Sequence, residues 1–288
     1  MVFCWLTVVA TLTGLTLIFM HLGRIRNTTL VAPALWLAIS LVCSLLLSLG
    51  FIVNGGSLPN ERLLLFITAN SSFCPQMALF GAKRPQDRGW QIIVATLWVV
   101  LSIPVLQSLA FSSDGFFETH GMWRVFLWVL IAYGFVNHFL TKFVVAAFFM
   151  LVGQLAIFAP FLWRDQSSPQ TCLAAFQVAL VISLISARGA SKKMTQLDLH
   201  PMDRVWHDFR NMFGMVWSLR IIERVNHLAT QEKWGVQLSW NGFTPDDQLG
   251  NRQLATDVEK CLRTLLRRFV DSNWIDARLM PNPDEERG

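Results

Sequence analysis

The sequence is poor in charge, and the shortage is confined to one part of the chain. Only 15% of the 288 residues are charged, whereas a typical soluble domain has about 25%. Residues 1–187 contain nine Lys and Arg and five Asp and Glu, but residues 188–288 contain fifteen and fourteen. This change in composition predicts a membrane domain of residues 1–187 followed by a tail domain of residues 188–288.

Sequence motifs of several enzyme classes and metal sites are also missing. The five cysteines are scattered and form no CxxC pair, which argues against a disulfide framework or a cysteine zinc site. HExxH, GxxxxGK[ST] and GxSxG do not occur, so a zinc protease, a nucleotide-binding protein or a serine hydrolase has no motif to support it. No cofactor is predicted, and a non-catalytic protein is favoured over an enzyme.

The first domain does contain long apolar runs. A bilayer core of about 30 Å requires roughly 20 helical residues, and seven runs come close to this length. They are Val2–Met20, Leu30–Val53, Leu63–Phe80, Gln91–Phe111, Val125–Leu140, Phe143–Trp163 and Thr171–Ala187. The predicted fold class is therefore an all-α membrane protein, a seven-transmembrane-helix bundle with a small, mainly helical C-terminal cytoplasmic domain.

Basic residues flank these spans unequally. One set of alternate loops holds nine Lys and Arg, and the other holds only Arg62, Arg124 and Arg164. Because basic loops stay in the cytoplasm, the N-terminus is predicted outside and the tail inside. The first run has no Lys or Arg before it, so we expect a retained span rather than a cleaved signal peptide.

The net charge of +5 does not indicate nucleic-acid binding. Residues 1–187 supply four of those charges, and the tail is almost neutral. Excess positive charge beside membrane spans is an orientation signal. The expected partners are therefore the lipid bilayer and subunits of a membrane complex that contact the tail, and no nucleic acid is expected.

The tail pattern predicts two helices with an extended segment between them. The first helix has an apolar stripe at spacings of three and four, formed by Met202, Val205, Phe209, Met212, Val216, Leu219, Ile222, Val225 and Leu228. Residues 235–243 alternate apolar and polar up to an Asn-Gly pair, which predicts a short strand. Residues 244–247 resemble a helix start, and a helix follows near Arg252–Val270. The apolar area is large for so short a tail, so we expect it to dock on the cytoplasmic face of the bundle.

The third span is the most polar one. Asn70, Ser72 and Gln76 are its candidate ligand-binding residues, and Thr68, Ser71, Ser72 and Pro75 can share one helix face. Polar groups at membrane depth must face protein or a water-filled cavity. Two interpretations stay open, which are a solute pathway and ordinary hydrogen bonding between helices.

Three other residue groups carry possible chemistry. His21 and His138 lie near span ends on the same predicted side, which allows a pair of haem ligands or two ordinary interfacial histidines. Asp203 and His207 stand four residues apart, a spacing that suits a metal site but is more typical of a surface pair. A basic patch of Arg263, Arg267 and Arg268 fits anionic lipid headgroups or the favourable end of a helix dipole.

Three segments resemble those of known proteins. Gly81–Trp90, Asp203–Arg210 and Trp234–Phe243 are similar to segments of uncharacterised multi-pass bacterial membrane proteins of planctomycete type. The resemblance implies a place in the bacterial inner membrane and assigns no catalytic residues. The leading hypothesis is a membrane anchor, scaffold or accessory subunit that presents a helical tail; the alternatives are a small-solute transporter or channel and a membrane enzyme or haem protein.

Overall fold

The computed structural model confirms the predicted fold class, since seven of the described helical segments are long and apolar enough to cross a membrane. The structure describes residues 2–111, 119, 121–163, 167–193, 200–244 and 252–279. The spans are α1 (Val2–Ile25), α2 (Val31–Val53), α3 with α4 (Glu61–Ser71 and Cys74–Phe80), α5 with α6 (Asp87–Leu101 and Ile103–Phe111), α7 (Gly121–Phe139), α8 (Val144–Leu162) and α9 (Pro169–Lys193). In lipid a helix is suitable because it satisfies its own backbone polar groups.

The outer surface of the bundle is apolar. Ile92 on α5 is 73% exposed and Met122 on α7 is 82% exposed, and many other large apolar side chains on the spans are similarly open. Soluble monomers rarely expose extended apolar surface, whereas lipid chains are as apolar as these side chains. The chain is therefore an integral membrane protein.

Two spans that were predicted as continuous helices are each divided in two. Pro75 has no N–H to donate to the carbonyl of Ser71, so the α-helical ladder stops between α3 and α4. The N–H groups of Ser72 and Phe73 donate instead to carbonyls three residues back, at 3.0 and 3.1 Å. In the fourth span, α5 ends at Leu101 and α6 begins just before Pro104.

The third span is the centre of the bundle. In its most apolar window 67% of the residues are buried, compared with 22–44% in the other spans. Phe66 and Phe73 are completely buried. The ring of Phe66 packs edge-to-face against Phe158 of α8, and the ring of Phe73 stacks on it. The polar span thus occupies the position farthest from lipid, as its composition requires.

The tail is a small helical unit with its own aromatic core. It contains α10 (Pro201–Gln231), β1 (Gln237–Ser239), β2 (Gly242–Thr244), α11 (Arg252–Leu266) and α12 (Ser272–Leu279). The two strands form an antiparallel hairpin connected by Trp240 and Asn241, and Gly242 of the predicted Asn-Gly pair is the first residue of β2. The helix start predicted at residues 244–247 lies, apart from Thr244, outside the described residues.

In its second half the apolar stripe predicted for α10 is right at Val225, which is buried, and at Ile222 and Leu228, which pack on the tail core, but it is wrong at Leu219. Gly214 has φ 76° and ψ −172°, which kinks the helix. Beyond the kink Trp217 and Ile221 are buried, whereas Leu219 is 51% exposed. The buried residues recur mostly at intervals of four because Phe209, Phe213 and Trp217 pack around Phe269.

The tail docks on one end of the bundle, here named the tail-side end, which is formed by the loops at residues 26–30, 81–86 and 140–143. Three backbone hydrogen bonds join the tail to the first two loops: Asp271 N–H to Asn27, Thr29 N–H to Phe269, and Arg84 N–H to Arg268, at 2.8–2.9 Å. Leu30, Leu79 and Ala82 of the bundle pack into the tail core. The expected docking of the tail on the bundle is therefore present.

Candidate functional site

The polar residues of the third span lie at its break and contact three different helices. Asn70 Nδ2 donates to a carbonyl of α5 at 3.0 Å. Ser71 Oγ donates to Ser40 Oγ of α2 at 2.9 Å. The carbonyl and the hydroxyl of Ser72 each lie 3.4 Å from Gln154 Nε2 of α8. These contacts are hydrogen bonds between helices, which is one of the two predicted interpretations.

Thr68, Ser71 and Ser72, which were expected to share one helix face, are all buried. Ser72 and Phe73 keep right-handed helical backbone angles across the break, although their N–H groups bond to carbonyls three residues back. The shared face stays a prediction. Asn70 and Ser72 are both completely buried among the spans.

A glutamine pair connects α4 and α8 beside the break. Gln76 Nε2 donates to Gln154 Oε1 at 3.4 Å. Gly134 of α7 makes room for this pair, because a Cβ at that position would collide with the Gln76 amide. Sequence reasoning missed Gln154, although an amide in the otherwise apolar run of the sixth span was a usable signal.

A cavity of about 380 Å³ lies next to this pair, toward the tail-side end. Ligand pockets commonly have volumes of about 300–1,000 Å³ and a few polar groups on apolar walls. Most of its wall is apolar, and the polar groups come from Gln76, His138, Gln154 and Ser183. Met212 of α10 completes the wall from the tail side. Of the three candidates in the third span, Gln76 lines this cavity, whereas Asn70 and Ser72 are outside its described wall.

The two candidate haem ligands have different surroundings. His21 Nδ1 lies 2.7 Å from the Leu17 carbonyl of its own helix. His138 lines the cavity, and its Nδ1 is shielded from solvent without a hydrogen-bond partner among the described residues. Its Nε2 lies 3.5 Å from Asn137 Nδ2. A haem pair of His21 and His138 stays a prediction, and only His138 borders a space for a ligand.

Asp203 and His207 both hold the tail hairpin. Asp203 is only 8% exposed, and its Oδ1 accepts the N–H of Phe243 at 2.9 Å. His207 Nε2 lies 2.9 Å from the carbonyl of Asn241. The interpretation as a surface pair is wrong for Asp203, since the carboxylate is buried. Among the described residues there is no group of three or more His, Cys, Asp or Glu that could hold a metal ion.

Two asparagines connect the bundle to α10, and sequence reasoning missed both. Asn137 Oδ1 accepts the N–H of Val216 at 3.1 Å. Asn211 Oδ1 accepts the N–H of Lys142 at 3.1 Å. Gly214 lies between these contacts, and a Cβ there would collide with the Asn137 amide. The kink in α10 therefore fits directly against the end of α7.

No family model, curated protein or solved structure matches the chain. The candidate sites are therefore defined by the contacts of its own residues. Two features stand out: the tail fixed on the tail-side end, and the cavity beside Gln76 and His138.

Proposed function

We propose that the protein is a non-catalytic membrane scaffold that holds its tail in a fixed orientation for a partner subunit. The observation that carries this proposal is the set of three backbone hydrogen bonds between the tail and the loops of the bundle. Backbone bonds of this kind fix both position and rotation, and a flexible tether would not need them. A rigid mount of this kind is useful where a membrane complex must be assembled in one geometry.

Cross-linking in native membranes tests the scaffold proposal. Lys233 and Lys260 are exposed on the tail and serve as reporters for an amine-reactive reagent. We expect a membrane subunit to be linked to one of them at near one-to-one stoichiometry, and to copurify in mild detergent. The Lys233→Gln and Lys260→Gln double variant is the control, because it lacks these two amines and keeps the other lysines of the chain. Purification of the chain alone, with neither lysine linked to a partner, contradicts the proposal.

We also propose that the protein lies in the bacterial inner membrane, with its N-terminus outside and its tail in the cytoplasm. This placement is supported by the nine-to-three charge asymmetry of the loops and by the resemblance of the three segments. A membrane-impermeant maleimide applied to intact cells is expected to label Asn54→Cys, which is exposed in the loop between α2 and α3. Lys260→Cys should be labelled only after the membrane is opened. The reverse pattern overturns the orientation.

A second candidate function is the binding of a neutral amphiphile in the cavity. It is favoured by one observation, the unpartnered Nδ1 of His138 in a largely apolar cavity that also contains the Gln76 amide. A hydroxyl or carbonyl of a ligand would satisfy these groups, and its hydrocarbon part would fill the remaining space.

The test uses a diazirine-bearing long-chain alcohol as the probe and maps its cross-links. Labelling is expected on α4, α7 and α8, and Ala147→Phe should abolish it because Ala147 lines the cavity. Ala132→Phe is the matched control, since Ala132 is exposed on the outside of α7. Equal labelling of the two variants would mean that the probe binds only the lipid-facing surface.

A further inference from the structure

A basic groove of about 550 Å³ lies where the tail meets the tail-side end. Five cations and one acid line it: Lys83, Arg220, Arg224, Arg267 and Arg268, with Glu223. The cations come from three separate parts of the chain, which are the loop between α4 and α5, the second half of α10, and the segment after α11. Their convergence is therefore a product of the fold and is not visible as a run in the sequence.

The groove differs from the basic patch expected from the sequence. Arg263 does not belong to it, because its guanidinium donates to Glu259 at 2.7 Å and to Asp276 at 2.6 Å. These two carboxylates raise the pKa of Arg263, and they neutralise its charge locally. By contrast, none of the five groove cations forms an ion pair with any residue that the structure describes.

The groove is anchored beside the end of a candidate membrane span. Trp217 lines the groove, and its indole N–H donates to the carbonyl of Leu79 at 2.9 Å. Leu79 lies in the last turn of α4, at the end of the third span. The Arg220 guanidinium lies 5.0 Å above the Trp217 ring. The groove therefore lies next to the end of the third span, and lipid headgroups are expected where a span ends.

We propose that this groove binds the phosphate of an anionic phospholipid from the surrounding leaflet. Arginine guanidinium groups match phosphate oxygens with paired N–H donors. Five positive charges beside a single carboxylate leave a large local excess, which the phosphate of the lipid would reduce. The apolar part of the groove, formed by Trp217, Ile221, Leu265 and Phe269, suits the glycerol and the first methylenes of the lipid chains.

Native mass spectrometry of the full-length protein in mild detergent tests the proposal with dioctanoyl phosphatidylglycerol as the probe. The Arg267→Gln and Arg268→Gln double variant removes two groove charges, and we expect its affinity for the probe to fall about thirtyfold. The control, Arg204→Gln with Lys260→Gln, removes the same number of charges outside the groove and should bind within about twofold of the wild type. Thermal unfolding without lipid verifies that both variants are folded. Arg220→Gln with Arg224→Gln, on another element, provides a second pair and should also weaken binding.

Three results would overturn the proposal. Equal weakening in the groove variant and the control would show that binding follows overall charge. Equal binding of dioctanoyl phosphatidylcholine would show that the acyl chains dominate. Full competition by glycerol phosphate at the same concentration as the probe would show that the groove takes a soluble phosphate compound instead of a lipid.

Discussion

Two buried glutamines of the bundle differ in whether their amide groups have hydrogen-bond partners. Gln154 is 1% exposed, and its amide contacts Gln76 and both oxygens of Ser72. Gln177 on α9 is completely buried, and neither atom of its amide has a hydrogen-bond partner among the described residues. A buried amide without a partner lowers stability, whereas a bonded one contributes modestly to helix association.

Replacing each glutamine with leucine should therefore have opposite effects. Gln177→Leu is expected to raise the free energy of unfolding by about 1–3 kcal/mol, since it removes an unsatisfied buried group at similar volume. Gln154→Leu should lower it by roughly 1–2 kcal/mol, since it removes three contacts and leaves Ser72 without its donor. Unfolding in mild detergent measures both variants. A destabilised Gln177→Leu protein would show that the Gln177 amide is satisfied.

The sequence predicted the burial of residues only where burial followed from the composition of the segment. The concentration of polar side chains in the third span indicated a buried span, and that span is the most buried one. The partners of Asn70, Ser71 and Ser72 were not predictable, because they depend on which helices surround the break. Asp203 appeared to be a surface residue because its partner, the Phe243 N–H, lies forty residues along the chain.

Among the secondary-structure elements, α10 depends most on a single residue. Its two halves meet at Gly214, whose φ of 76° is accessible mainly to glycine. The same glycine allows the Asn137 side chain to reach the N–H of Val216. The kink thus sets the direction of the second half of α10 relative to the first half, which carries Met212 at the cavity.

Gly214→Ala is expected to weaken the docking of α10 by at least 2 kcal/mol, from backbone strain together with the collision with Asn137. Hydrogen exchange at the N–H of Val216 measures this local loss, and it should accelerate at least thirtyfold. The control is Gly189→Ala in α9, where a Cβ meets no atom within 4 Å. That substitution should leave the exchange at Val216 unchanged. Unchanged exchange in Gly214→Ala would contradict the importance of the kink.

Continuous apolar runs predicted the spans well, but they did not predict the breaks. Pro75 and Pro104 were visible in the sequence, and prolines are tolerated in membrane helices. Whether such a proline bends a helix or divides it depends on the groups that satisfy the freed carbonyls, and those groups belong to other spans. The short strand predicted at residues 235–243 is present as β1, but the second strand of the hairpin, Gly242–Thr244, was not predicted.

At the scale of the whole molecule, the bundle and the tail share a continuous interface. Trp217 is 7% exposed and reaches the carbonyl of Leu79, and the backbone bonds at Thr29, Arg84 and Asp271 surround this contact. The Arg84–Asp271 ion pair lies at the same place, but its side chains are 40% and 41% exposed. Solvent weakens such a pair, so we expect the buried tryptophan to dominate the docking energy.

Cleavage at a protease site inserted between residues 193 and 200 tests this expectation. The released tail should remain bound to the bundle through gel filtration in mild detergent. Arg84→Ala should retain the tail, because an exposed ion pair contributes about 1 kcal/mol or less. Trp217→Ala should release it, because a buried tryptophan contributes about 3–5 kcal/mol. Release of the wild-type tail would mean that the covalent link, rather than the interface, holds it in place.

The arrangement of this interface has a consequence for biosynthesis. The loops that the tail contacts follow the first, third and fifth spans, so they are synthesised before the tail. Until the tail arrives, the carbonyl of Asn27 and the N–H groups of Thr29 and Arg84 lack the partners they have in the finished protein. The tail then closes a bundle whose spans are already inserted, and it connects loops that are far apart in the sequence. A chain that stopped before the tail would leave these backbone groups without those partners, so the contacts that join the loops form only after the tail has been synthesised.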